Sequence, residues 1–137
     1  MGRNPSVMKR PEYYLGVMTG TSLDGLDIVL ADFQGPRPRI EASAAVAFEP
    51  ALREALLALC SPGPGEIDRL GDADGALADA IADACLALLE TCAVHPSAVR
   101  ALGSHGQTVR HRPDATRPFT LQIGDPTASR SAPASLW

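Results

Sequence analysis

The residues best suited to chemistry form one short turn, Thr19-Gly20-Thr21-Ser22-Leu23-Asp24-Gly25, between two apolar runs. Backbone N–H groups in a glycine-bounded turn can converge on an anion. Thr21 and Ser22 add hydroxyl donors, and Asp24 adds a carboxylate able to hold Mg²⁺ directly or through water. Polyphosphate binding uses all three features. The turn is neither a P-loop nor a dinucleotide fingerprint: it lacks both glycine patterns and lies between two strands, not between a strand and a helix. Its G-x-S-x-x-G spacing also departs from a hydrolase elbow, which argues against an esterase built on Ser22, or on Ser104. A plain hairpin turn draws on the same residue types, so composition alone does not separate the two.

A second polar segment runs from Gly103 to His111, after an apolar stretch that reads as a strand. Polar groups at a strand's carboxyl end are where α/β proteins bind ligands. Ser104, Gln107 and Thr108 suit sugar hydroxyls, and Arg110 or Arg112 suits a carboxylate. His105 and His111 have neither helical spacing nor an acidic cluster nearby, so a metal site is a poor reading and a hydrogen-bonded structural His105 a better one. A third segment, Thr120 to Asp125, reads as a strand ending in a turn, with Gln122 and Asp125 as ligand contacts or turn chemistry.

The elements that must position these residues follow from periodicity. Tyr13–Met18 is an apolar run, Leu26–Phe33 and Arg39–Phe48 alternate as strands do, and tight turns join the three into an antiparallel three-stranded meander. Leu26, Ile28 and Leu30 share one face, and Ile40, Ala42, Ala44, Val46 and Phe48 share another. Leu52, Leu56 and Leu59 predict a helix after Pro50; a longer helix is predicted from Glu66 to Cys92, weakened at Gly71 and Gly75 and ended by His95-Pro96. Val99–Gly103 reads as a short buried strand, Ser104–Pro118 as a polar loop and Phe119–Ile123 as a further strand. The class is α/β. Residues 1–12 read as a flexible leader without a signal peptide. A net charge of −4 argues against a nucleic-acid binder, and no apolar run approaches a membrane span. Three cysteines without CxxC spacing read as free thiols in a reducing cytoplasm.

Three blocks in order, GVMTGTSLDGLDIVLADF, GSHGQTVRHRP and FTLQIGDP, resemble the signatures of the anhydro-N-acetylmuramic acid kinase family. The resemblance covers about Tyr13 to Pro126, or roughly the first third of the family's chain. It implies an actin-like ATPase (ribonuclease H-like) fold, in which a strand–turn–strand opening grips ATP, with residues 13–126 as the amino-terminal part of the ATP-binding domain and the second domain absent. It implies ATP and Mg²⁺ as cofactors, and phosphoryl transfer to O6 of 1,6-anhydro-N-acetylmuramic acid with hydrolysis of the anhydro bridge. The product is N-acetylmuramic acid 6-phosphate, in cytoplasmic recycling of cell-wall sugars by a homodimer. Carried over by position, Gly20, Thr21, Ser22, Leu23, Asp24, Gly25, Leu26 and Asp27 match the ATP loop, with Asp24 toward Mg²⁺ through water. Thr19 stands where the family often has serine. His105, Gly106, Gln107 and Gln122 match blocks near the sugar. No aspartate here matches the family's catalytic base, so the chain by itself is expected to be inactive. The rival reading is a non-catalytic nucleotide-binding module of the same superfamily.

The resemblance stops after Pro126. The family continues with a segment close to I-A-E-R-T-G-I-A-V, while this chain reads Ala128-Ser129-Arg130-Ser131-Ala132-Pro133-Ala134-Ser135-Leu136-Trp137. G/C-rich codons for that tail, read two bases later, encode the family segment. Residues 127–137 are therefore expected to come from a shifted reading frame and to pack poorly.

Overall fold

Alternating apolar residues build the first three strands, β1 (Tyr13–Thr19), β2 (Gly25–Asp32) and β3 (Arg39–Ala47). The computed structural model describes residues 10–125. Most of the leader and the whole 127–137 tail lie outside them. β1 pairs antiparallel with β2, and β2 with β3. A fourth strand, β4 (Val99–Ser104), joins β1 in parallel, giving a mixed sheet of order β3-β2-β1-β4. Leu15 and Val17 of β1 lie opposite Leu30 and Ile28 of β2, and all four are buried with Leu26. Each such side chain contributes about 1.5–3 kcal/mol on burial.

The expected face of β3 is only partly realised. Leu30 lies opposite Ala42, but the next residue, Ala31, lies opposite Ile40, so Glu41 is an extra residue in the ladder. Opposed residues share a side of the sheet, and one inserted residue reverses the side that follows. Ile40 is thereby turned away from Ala42 and is 60% exposed. β4 is likewise less buried than expected. It is a sheet edge, and only Val99 in it is buried.

Two helices fill the crossover from β3 to β4. Helix α1 spans Pro50–Leu59, with Pro50 in its first turn where a missing N–H costs nothing. Helix α2 spans Glu66–Thr91 without a break at Gly71 or Gly75. Neither glycine would bring a Cβ within 4 Å of other atoms, so packing tolerates rather than requires them. Leu77, Ile81, Cys85 and Leu89 of α2 join Leu56 and Leu59 of α1 and the sheet's inner face in one core. The end of α2 precedes His95-Pro96. Ala93 turns left-handed at φ 53°, Val94 N–H donates to Leu89 O at 3.0 Å and Ala93 N–H to Glu90 O at 3.0 Å. That is a Schellman closure with alanine in the usual glycine position. All three cysteines are free thiols; burial pushes the Cys85 thiol up to about 12, which keeps it protonated and unreactive.

The predicted polar loop Ser104–Pro118 is not a loop throughout. Gln107–Arg112 forms β5, paired antiparallel with β6 (Phe119–Ile123) in a separate two-stranded sheet. Val109 is the only apolar residue of β5, so hydropathy carried no strand signal there. Among the described residues no helix is long and apolar enough to cross a membrane.

Candidate functional site

Parallel pairing of β1 with β4 brings two distant motifs to one edge. Val17 lies opposite Ser104, and His105 N–H donates to Val17 O at 3.1 Å. The carboxyl ends of both strands therefore open side by side, the place where α/β sheets take ligands.

From β1 the chain enters the turn Gly20–Leu23, closed by Leu23 N–H donating to Gly20 O at 3.3 Å. Thr21, Ser22 and Asp24 are exposed, and among the described residues the backbone N–H groups of these three have no hydrogen-bond partner. Leu23 is left-handed at φ 56° with its side chain buried. An L-residue there costs about 1–2 kcal/mol, and insertion of the isobutyl group into the core offsets it. Leu23 and Leu26 thus face inward, so only their backbone is available to a ligand. Gly25 serves the sheet: a Cβ there would lie 2.1 Å from Val46 O. Ser22, Asp24 and Asp27 line a cleft of about 430 Å³ between the turn and the end of β3.

On the β4 side, a cavity of about 350 Å³ is lined by Asp74, Ser104, His105, Gly106, Gln122 and Asp125, among others. Gly106 is left-handed at φ 68°, and a Cβ would lie 2.5 Å from Ile123 O, so β6 requires glycine there. Its N–H donates to Ser104 Oγ at 3.2 Å. Its carbonyl accepts from Thr19 Oγ1 at 2.5 Å and lies 3.0 Å from His105 Nδ1. Gln122 Nε2 is 3.4 Å from His105 Nε2. Of the four residues expected near a sugar, His105, Gly106 and Gln122 share this cavity. Gln107 does not line it: its side chain is buried, with Nε2 donating to Thr108 O at 3.2 Å.

The chain's sequence matches the family model of anhydro-N-acetylmuramic acid kinase over residues 12–132. The chain belongs to this family. Relatives named anhydro-N-acetylmuramic acid kinase include that of Shewanella denitrificans, 49% identical over 119 residues, covering 87% of this chain and 32% of the relative. That of Shewanella pealeana is 51% identical over 114 residues, covering 83% and 31%. That of Acinetobacter baylyi is 51% identical over 113 residues, covering 82% and 29%. The chain thus spans about a third of the length of these curated relatives.

Within this kinase-family chain, some predicted roles fall away and others emerge. Arg110 is not a free cation for a ligand carboxylate: it donates to Leu59 O at 2.9 Å and pairs with Glu66, clasping β5 to the start of α2. Arg112 donates to the neighbouring His111 O at 2.9 Å. Asp74 escaped the sequence reading, and Thr19, read there only as part of the turn, proves to be a link between strands. Asp74 Oδ1 accepts from Gly124 N–H at 2.5 Å and Asp125 N–H at 3.1 Å, fixing the turn after β6. Thr19 is buried and links β1 to Gly106. An aspartate on an acidic helix looks solvated in sequence, and no pattern marks which one reaches a turn 50 residues later.

Proposed function

We propose that this chain supplies the nucleotide wall and part of the sugar wall of an ATP-dependent anhydro-N-acetylmuramic acid kinase with an actin-like fold, residues 13–126 belonging to its first domain. The reaction transfers the γ-phosphoryl group to the sugar's O6 and adds water across the 1,6-anhydro bridge, giving N-acetylmuramic acid 6-phosphate for cytoplasmic cell-wall recycling in a homodimer. The observation that carries this reading is the meeting of the Gly20–Asp27 turn and the Ser104–Gly106 segment at the joined ends of β1 and β4. Phosphoryl transfer depends on positioning and charge stabilisation, so the two substrates must meet at one edge.

Unpartnered turn amides, with the hydroxyls of Thr21 and Ser22, fit the phosphates of ATP. Asp24 and Asp27 share the cleft and suit Mg²⁺ through water. Among the described residues no three His, Cys, Asp or Glu side chains converge, so such a cation would take its remaining ligands from phosphate and water. When bound, Mg²⁺ neutralises charge on the phosphates; the chain's own part is to hold and orient them. On the other wall, His105 and Gln122 offer hydrogen bonds to sugar hydroxyls. No aspartate here is assigned as the base that activates water. Calorimetric titration of the chain with ATP and Mg²⁺ tests the reading: binding that Asp24→Asn weakens supports it, and no binding overturns it. Because the relatives are about three times as long, transfer to the sugar by this chain alone is not expected.

A further inference from the structure

Among the described residues, the hydroxyl of Thr19 is the side-chain group of the first hairpin that hydrogen-bonds to the β4–β5 junction. Thr19 is 4% exposed, and Oγ1 donates to Gly106 O at 2.5 Å across 87 residues of sequence. Gly106 is held by other partners as well. Its N–H is bound to Ser104 Oγ, and the Ile123 carbonyl occupies the space that a Cβ would need. Its carbonyl is also 3.0 Å from His105 Nδ1. A carbonyl oxygen only accepts, so Nδ1 must carry the proton when that bond is made. In neutral imidazole the proton on Nδ1 leaves Nε2 as a lone pair. Nε2 is the nitrogen beside Gln122 Nε2 in the cavity, whose amide can only donate.

We propose that Thr19 is a positioning residue that couples the nucleotide turn to the sugar wall. Its hydroxyl fixes the Gly106 carbonyl, which in turn fixes His105 as the Nδ1–H tautomer with Nε2 as an acceptor for a sugar hydroxyl. Thr19 directly precedes Gly20. A movement of the turn on binding phosphate therefore reaches Gly106 through one hydrogen bond. The coupling rests on the nucleotide reading above. It adds that both walls are referenced to a single carbonyl oxygen, which suits a transfer whose reacting atoms must be aligned to within about 3–3.5 Å.

The test is nuclear magnetic resonance on the whole chain, with MgATP as the probe, comparing Thr19→Val, which keeps the shape without the hydroxyl, and Thr19→Ser, which restores it. Expected in the unmodified protein and in Thr19→Ser are shifts at the Thr21–Asp24 amides, at the Gly106 amide and at the His105 ring nitrogens, with Nε2 unprotonated. In Thr19→Val the turn amides still shift while the Gly106 and His105 responses are lost. A full response in Thr19→Val, a lost one in Thr19→Ser, or an Nε2-protonated His105 overturns the coupling while leaving nucleotide binding standing. No shift at Thr21–Asp24 in the unmodified protein overturns the nucleotide reading and the coupling with it. If Thr19→Val fails to fold, the Thr19 hydroxyl proton of the unmodified protein decides. A slowly exchanging signal that moves with MgATP supports the coupling, and an unmoved one overturns it.

Discussion

The two ends of the first hairpin treat their polar groups in opposite ways. Where β1 begins, Asp32 Oδ1 accepts from Glu12 N–H at 2.8 Å and Gln34 N–H at 2.9 Å, and Oδ2 lies 3.5 Å from Arg39. Where β1 ends, Thr21, Ser22 and Asp24 are exposed, and among the described residues their side chains make no hydrogen bond. Both ends are rich in oxygen atoms at a strand terminus. At one end those atoms are consumed by the fold, and at the other they are left over. A polar group whose partners are all internal is structural, and one left open in a glycine turn is available to a ligand.

That contrast can be broken by substitution, beginning with the largest expected effect on stability. Between the two ends, Leu30 is fully buried, and Leu30→Ala should cost about 3 kcal/mol in urea unfolding. A smaller cost would mean that the core between the ends can collapse. Gly106→Ala should cost about 2 kcal/mol, because φ is positive and the added Cβ meets the Ile123 carbonyl.

Asp32→Asn should be visible mainly through its pH dependence. Hydrogen bonds from Gln34 and then Glu12 hold the Asp32 carboxyl below the usual carboxylate range, against an opposing effect of burial that is larger than the added help of the Arg39 charge. A lowered folded-state pKa contributes stability that is complete above the unfolded value, about 3.9, and is lost as pH falls through the folded value. Thermal unfolding should therefore separate the two proteins at neutral pH and converge in strong acid. A difference that persists unchanged there would remove Asp32 as the anchor.

Gly71→Ala on the open surface of α2 should stabilise by about 0.5–1 kcal/mol. Smallest of all, Asp24→Asn should change stability by no more than about 0.5 kcal/mol, while weakening MgATP binding. Comparable losses at Asp24 and Asp32 in both measurements would erase the distinction between the ends.

The sequence made some of this legible and hid the rest for identifiable reasons. Leu26, Ile28 and Leu30 show period two, and β2 buries all three. Pro50 and the leucines after it mark the place of α1. Ile40 misleads because Glu41 is an extra residue, and an inserted residue leaves no trace in the alternation of residue types. β5 is hidden because only Val109 in it is apolar; its pairing is made by backbone atoms that side-chain types do not report. Within the site, the turn from Gly20 to Asp24 was readable because every residue in it is local. The Arg110–Glu66 clasp and the Asp74 hold on Gly124 were not, since each joins side chains or backbone from distant elements.

The bond between Thr19 and Gly106 has a consequence in time as well as in space. Pairing of β1, β2 and β3 needs only neighbouring segments, and is available to a nascent chain once Ala47 has emerged. Pairing of β1 with β4 must close a loop that contains both helices, a slower event because the entropy of closure precedes the contacts that repay it. A chain made from its amino end therefore shapes the Gly20–Leu23 turn early and joins it to the Ser104–Gly106 segment late. Pulsed hydrogen exchange during refolding would see protection appear at Ile28 before it appears at His105, whose N–H depends on β1 and β4 having met.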